Sequence, residues 1–130
     1  MQIEIRQTGA SASEAAIREH RVPIDRPAAK GGADAGPMGG ELFLAAVGGC
    51  FMSNLLAAIK ARDAKISGVS TDVIATLAES PARFSAIELR VSADYEDRDL
   101  LEKLVEIAER GCIMVNTLRG KIDLRVTVAD

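Results

Sequence analysis

Glu41-Leu-Phe-Leu-Ala-Ala-Val-Gly-Gly-Cys50-Phe-Met-Ser-Asn54 is the stretch on which the fold turns. Apolar side chains fill nearly every position before Ser53, and the pattern predicts the longest helix of the chain, from Glu41 to about Arg62. A helix that is apolar all round is buried on all sides. In a chain of only 130 residues, that predicts burial between two subunits as well as beneath a sheet. Gly48 and Gly49 interrupt it, each costing roughly 0.5–1 kcal/mol against alanine, which predicts a compensating close approach of another backbone. Lys60 and Arg62 suit the negative carboxyl end of the helix.

Upstream, residues 27–40 read PAAKGGADAGPMGG, a loop long enough for a functional or subunit-contact role, with a plain connector as the alternative. Residues 2–8 and 15–26 contain short alternating stretches that predict edge strands. Downstream, Val69, Thr71, Val73, Ala75 and Leu77 alternate with polar residues, as do Ile87, Leu89 and Val91. The link at Glu79-Ser80-Pro81-Ala82 suits a hairpin. Asp99 and Glu102 have capping-box spacing, and Leu100, Leu101, Leu104, Val105, Ile107 and Ala108 form one helix stripe. Gly111 terminates that helix, which puts Cys112 at its end or at the start of another turn. Ile122, Leu124, Val126 and Val128 predict a final strand. Strands, helix, strands, helix, strand is an α+β order in a single domain over residues 1–130.

The composition excludes several function classes. With 48% hydrophobic and 27% charged residues, the chain is an ordinary globule. Sixteen basic and nineteen acidic residues give a net charge of −3 with the signs mixed, which argues against nucleic-acid binding. Only Phe43, Phe51, Phe84 and Tyr95 are aromatic, so base-stacking platforms are not expected either. The amino terminus lacks an apolar signal core, and the longest apolar run, Leu42–Met52, spans eleven residues. A membrane span needs about 20. The expectation is a cytoplasmic protein without membrane contact. His20 is the only histidine and no CxxC or HxxxH spacing occurs, so neither a metal nor a cofactor is expected. His20 itself reads as a surface residue more readily than as a proton shuttle. The glycines of the loop lack the Gly-Lys-Ser/Thr ending of a phosphate cradle.

Chemistry therefore rests on sulfur. Cys50 and Cys112 are the only cysteines, 62 positions apart. Buried cysteine is usually a small hydrophobe. Against that stand Ser53 and Asn54, at i+3 and i+4 on the same helix face as Cys50, and a second thiol after a second helix that could meet the first.

The quoted stretch, together with Gly111-Cys112-Ile-Met-Val-Asn116-Thr-Leu118, resembles the OsmC/Ohr superfamily of osmotically induced and organic hydroperoxide resistance proteins over roughly residues 20–130. The resemblance implies a two-layer α+β fold with antiparallel sheets around a long central helix, assembled as an intertwined homodimer. It implies thiol-dependent reduction of organic hydroperoxides, with hydrogen peroxide as a further candidate substrate and the cysteines near the dimer interface. Cys50 matches the peroxidatic cysteine and Cys112 the resolving one, so their disulfide would need an external thiol reductant. The family also pairs an N-terminal arginine with a carboxylate ten positions before the first cysteine. Here that position is Gly40, and Glu41 stands nine before, on the opposite side of the helix from Cys50 at ~100° per residue. Arg18, Arg21 and Arg26 can each supply the guanidinium, with Arg21 and Arg26 nearer the loop that feeds the helix. Arg119 reads as a turn charge, and Asn116 and Thr117 either orient the second thiol or shape a local turn. Glu41 either takes the carboxylate role or only favours the helix start. Two other functions stay open: a different thiol activity on this scaffold, or a non-enzymatic dimer that binds an apolar ligand or senses oxidation.

Overall fold

Alternating β-branched and polar residues extend into six strands, and the two periodic leucine- and alanine-rich stretches wind into helices. In the computed structural model, which describes residues 1–130, the order is β1 (Glu4–Gln7), β2 (Ser13–Ile17), β3 (His20–Ile24), α1 (Gly39–Ala61), β4 (Ile66–Ala78), β5 (Arg83–Tyr95), α2 (Arg98–Gly111), α3 (Ile113–Leu118) and β6 (Asp123–Val128). The chain forms two compact units, Met1–Phe43 and Leu44–Asp130, and α1 runs from the first into the second.

The first unit is an antiparallel sheet in the order β1-β2-β3 followed by the glycine-rich loop. The expected strand over residues 15–26 is in fact most of a hairpin, turned at Arg18 with φ 52°. Asp25, 3% exposed, organises the loop. Its carboxylate accepts hydrogen bonds from Ser11 Oγ at 2.8 Å and from the amides of Arg26, Ala33 and Ala35 at 2.7, 3.1 and 3.1 Å. Its own amide donates to the Pro37 carbonyl. The loop folds this tightly only because two residues lack side chains. A Cβ on Gly32 would lie 1.9 Å from the Arg26 carbonyl oxygen, and one on Gly36 would lie 2.4 Å from that of Pro23.

The second unit carries the core. Its sheet is ordered β4-β5-β6: β4 and β5 form the expected long hairpin, antiparallel, whereas β6 runs parallel to β5. The antiparallel expectation thus needs one correction. β6 enters the sheet after α2 and α3 rather than through a hairpin, and a crossover of that kind delivers a parallel strand. Ile87, Leu89 and Val91 of β5 are buried, and so are Leu101, Leu104, Val105 and Ala108 of α2. Arg98 ties α2 to the end of the sheet, donating from its guanidinium to the carbonyls of Val128 and Ala129 and to Glu102.

Two local expectations are corrected. The cap of α2 is Asp97, whose carboxylate accepts from the Leu100 amide at 3.1 Å. Asp99 lies within the first turn, and Glu102 pairs with Arg98 instead of reaching back. Gly48 meets a side chain rather than a backbone: a Cβ there would lie 2.6 Å from Val73 Cγ2 of β4, and Gly49 faces open space. Helix α1 is long and apolar enough to cross a bilayer by length and composition. Its Val47, Phe51, Leu55, Ala58 and Ile59 stripe is nevertheless packed in the core, while Ala45, Gly49 and Leu56 on the other side are exposed.

Candidate thiol site

Cys50 sits mid-way along α1, half-buried, with its carbonyl accepting from Asn54 Nδ2 at 2.9 Å. Asn54 in turn lies against the end of α2, where a Cβ on Gly111 would come 3.2 Å from Asn54 Oδ1. A bulkier residue at 111 would therefore crowd the helix contact that brings the two cysteine segments together.

Cys112 is completely buried and belongs to neither helix. Its backbone is extended, φ −82° and ψ 117°, so it ends α2 and caps α3 at once. Its amide donates to the Glu109 carbonyl, its carbonyl accepts from Asn116, and its Sγ accepts from the Val115 amide at 3.5 Å. The first amides of a helix have no partner inside the helix. In α3 the sulfurs take that part. The Val115 amide donates to Cys112 Sγ, and the Ile113 and Met114 amides face Cys50 Sγ.

The two sulfurs are hydrogen-bonded neighbours, both free thiols. Their acidities are driven apart. The Met114 amide, with smaller help from the Cys112 thiol and the Ile113 amide, holds Cys50 below the ordinary thiol range against the opposing effect of burial. Burial is the main influence raising Cys112, and the charge that Cys50 acquires raises it further. Of the two, Cys50 is therefore the sulfur that ionises more readily and Cys112 the one that keeps its proton longer. Such an arrangement supports a nucleophilic sulfur beside a second sulfur able to trap what it forms.

The other expected site residues occupy the first unit. Arg21 spends its guanidinium on the hairpin, donating to the carbonyls of Arg18 and His20 and lying 3.8 Å from Glu14. Arg26 is exposed and gives its amide to Asp25. Glu41 accepts from the Met38 amide at 2.9 Å, closing the first turn of α1, which is the helix-start role. In the second unit, Arg119 pairs with Glu109 at 3.0 Å, Thr117 Oγ1 donates to the Ile113 carbonyl, and Asn116 Nδ2 donates to the Arg110 carbonyl. Asn116 and Thr117 thus shape α3 locally. Sequence reasoning missed the amides that face Cys50, because a backbone donor has no letter of its own. The one available signal was a cysteine directly after the helix-ending Gly111 and before a second apolar turn.

Two neighbouring thiols held between a core helix and the capped start of a short one, in an α+β fold, are the features that the comparison with known proteins has to account for. The chain belongs to the OsmC-like protein family, whose model matches residues 31–127. It is 32% identical over 91 residues to the organic hydroperoxide resistance protein of Xanthomonas axonopodis pv. citri, a match covering 68% of this chain and 64% of that relative's length. Among solved structures, the fold is shared with the OsmC-like protein of Mycoplasma pneumoniae at TM-score 0.82 and 17% identity, covering 99% of this chain and 96% of that one. It is shared also with the organic hydroperoxide resistance protein OhrB of Bacillus subtilis at TM-score 0.70 and 23% identity, over 99% and 98% of the two chains.

Proposed function

We propose that the protein is a thiol-dependent peroxide reductase acting on organic hydroperoxides. The observation that supports this best is the pair of hydrogen-bonded thiols, with the Met114 and Ile113 amides facing Cys50. The Cys50 thiolate attacks a peroxide oxygen, the O–O bond breaks, and the other oxygen leaves with a proton as an alcohol. Cys50 becomes a sulfenic acid. Cys112, already beside it, attacks that sulfur, forms the disulfide and releases water. An external thiol, in a reducing compartment such as the cytoplasm, returns both sulfurs to the thiol state. Neither metal nor cofactor takes part in this scheme. Arg21 or Arg26 is proposed as a second source of positive charge for Cys50, and a homodimer as the working unit.

One observation favours a second reading. Glu41 is committed to the Met38 amide, and Gly40 has no side chain to pair with an arginine. The scaffold would then carry a different thiol substrate.

The deciding experiment is anaerobic consumption of cumene hydroperoxide and hydrogen peroxide with a dithiol. The wild type should turn over the organic peroxide. Cys50→Ser should abolish consumption, because oxygen is a far weaker nucleophile here. Cys112→Ser should reduce about one equivalent and then accumulate sulfenic acid. Retained turnover in Cys50→Ser sinks the reading. Inert wild type with a reactive Cys50 favours the other thiol substrate.

A further inference from the structure

Helix α3 spans six residues, Ile113–Leu118, below the length at which a helix holds itself together. What anchors its amino end is sulfur. Val115 donates to Cys112 Sγ at 3.5 Å, and the Ile113 and Met114 amides are turned to Cys50 Sγ. At the same time Cys112 is wholly buried and Cys50 half-buried. An external thiol must nevertheless reach one sulfur of the disulfide along the S–S axis, and it gains most when the sulfur that departs is the better-stabilised thiolate. That departing sulfur is Cys50, so the sulfur to be attacked is the one that the closed fold hides.

We propose that α3 is a redox-sensitive cover: the two reduced sulfurs hold its first turn closed, and their conversion to a disulfide releases that turn and opens Cys112 to the reducing thiol.

The chemistry balances. Two thiols and one peroxide give a disulfide, an alcohol and water, so Cys50 loses its negative charge and both sulfurs lose an electron-rich acceptor position. A disulfide sulfur accepts hydrogen bonds poorly, and Cys112 Sγ must swing from the Val115 amide toward Cys50 to make the bond. The Val115 amide loses its acceptor, and the two amides that face Cys50 lose a charged neighbour at the same time. The exposed Ile113 side chain, 74% accessible, offers no packing that would keep the turn in place. Re-reduction restores the acceptors, and the turn closes again.

This proposal rests on the dithiol reading above, and one experiment separates the two. Amide hydrogen exchange of the Cys112–Arg119 segment is followed by mass spectrometry in the reduced protein and after oxidation with diamide. Diamide takes up the two hydrogens directly, so the disulfide forms without any peroxide chemistry. The intact mass reports whether two hydrogens were lost. With the disulfide formed, exchange in the first turn should accelerate about tenfold or more, the effect of losing one to two net hydrogen bonds. In Cys112→Ser, where the serine hydroxyl can still cap but no disulfide can form, diamide should leave the exchange unchanged. A full two-hydrogen loss with unchanged exchange overturns the cover while leaving the dithiol reading intact. Failure to form the disulfide at all overturns both. Equal acceleration in Cys112→Ser assigns the effect to the oxidant and also overturns the cover.

Discussion

At Cys50 peptide N–H groups favour the thiolate, and this makes a testable statement about acidity. The Met114 amide is the largest influence lowering Cys50, and burial is the largest raising Cys112. Alkylation by iodoacetamide across pH, read separately for each cysteine peptide, should therefore give a midpoint below the ordinary ~8.5 for Cys50 and above it for Cys112. Ile113→Pro is the matching probe. Proline is tolerated at the first helical position, and Cys112 at φ −82° and ψ 117° already has the extended backbone that a following proline demands. The variant should fold, lose one N–H to Cys50, and move the Cys50 midpoint upward; an unchanged midpoint would remove that amide from the account. Both cysteines were legible from sequence because sulfur is chemically singular in a chain that has only two. Their unequal acidity was not, since it depends on which amides the fold turns toward which sulfur.

Among the elements, the glycine-rich loop shows how one buried group can organise a segment that has no regular structure. Asp25 accepts four hydrogen bonds, and its carboxyl is held below the usual range chiefly by the Ala35 amide and then by the Ser11 hydroxyl. No ion pair contributes. A carboxylate with a depressed folded value stabilises the fold fully above its unfolded value and loses that contribution as the pH falls through the folded value. Asp25→Asn should consequently lower the melting temperature at pH 7 and speed tryptic cleavage after Lys30. The melting gap to the wild type should narrow below roughly pH 4, where the unfolded chain's carboxylate protonates ahead of the native one, and close as the pH falls through the folded value. A gap independent of pH would mean that the loop is held by its glycines and backbone alone. Sequence pattern predicted the loop, the long helix and the hairpin, because hydrophobic period and turn residues are local. It misplaced the α2 cap by two residues, since Asp97 and Asp99 both stand just ahead of the leucine stripe and only the backbone angles distinguish them. Asp25 was invisible for the same kind of reason: its partners lie up to fourteen positions away.

At the scale of the whole molecule, α1 leaves an apolar face uncovered within the chain. Ala45, Gly48, Gly49 and Met52 line, with Thr71 and Val73 of β4, a groove of about 290 Å³. Leu56, half exposed, continues the same helix face one turn on. A face of this kind fits the proposed second copy. Sedimentation at micromolar concentration should give a dimer, and Leu56→Lys should weaken association by roughly tenfold or more by placing a charge on the apolar face. A folded wild-type monomer at that concentration would count against the dimer. Amphipathic period, glycine and proline punctuation and the two cysteine segments determined the element order, the α+β class and the family, because each is encoded by residues close together in sequence. The parallel pairing of β6 with β5, the seat of Gly48 against Val73, the clasp at Asp25 and the amides that split the two thiols in acidity were decided only by tertiary structure. Each depends on a distance between groups remote in the chain, and a hydrogen bond or a close approach exists only once the backbone has brought them within about 3–4 Å.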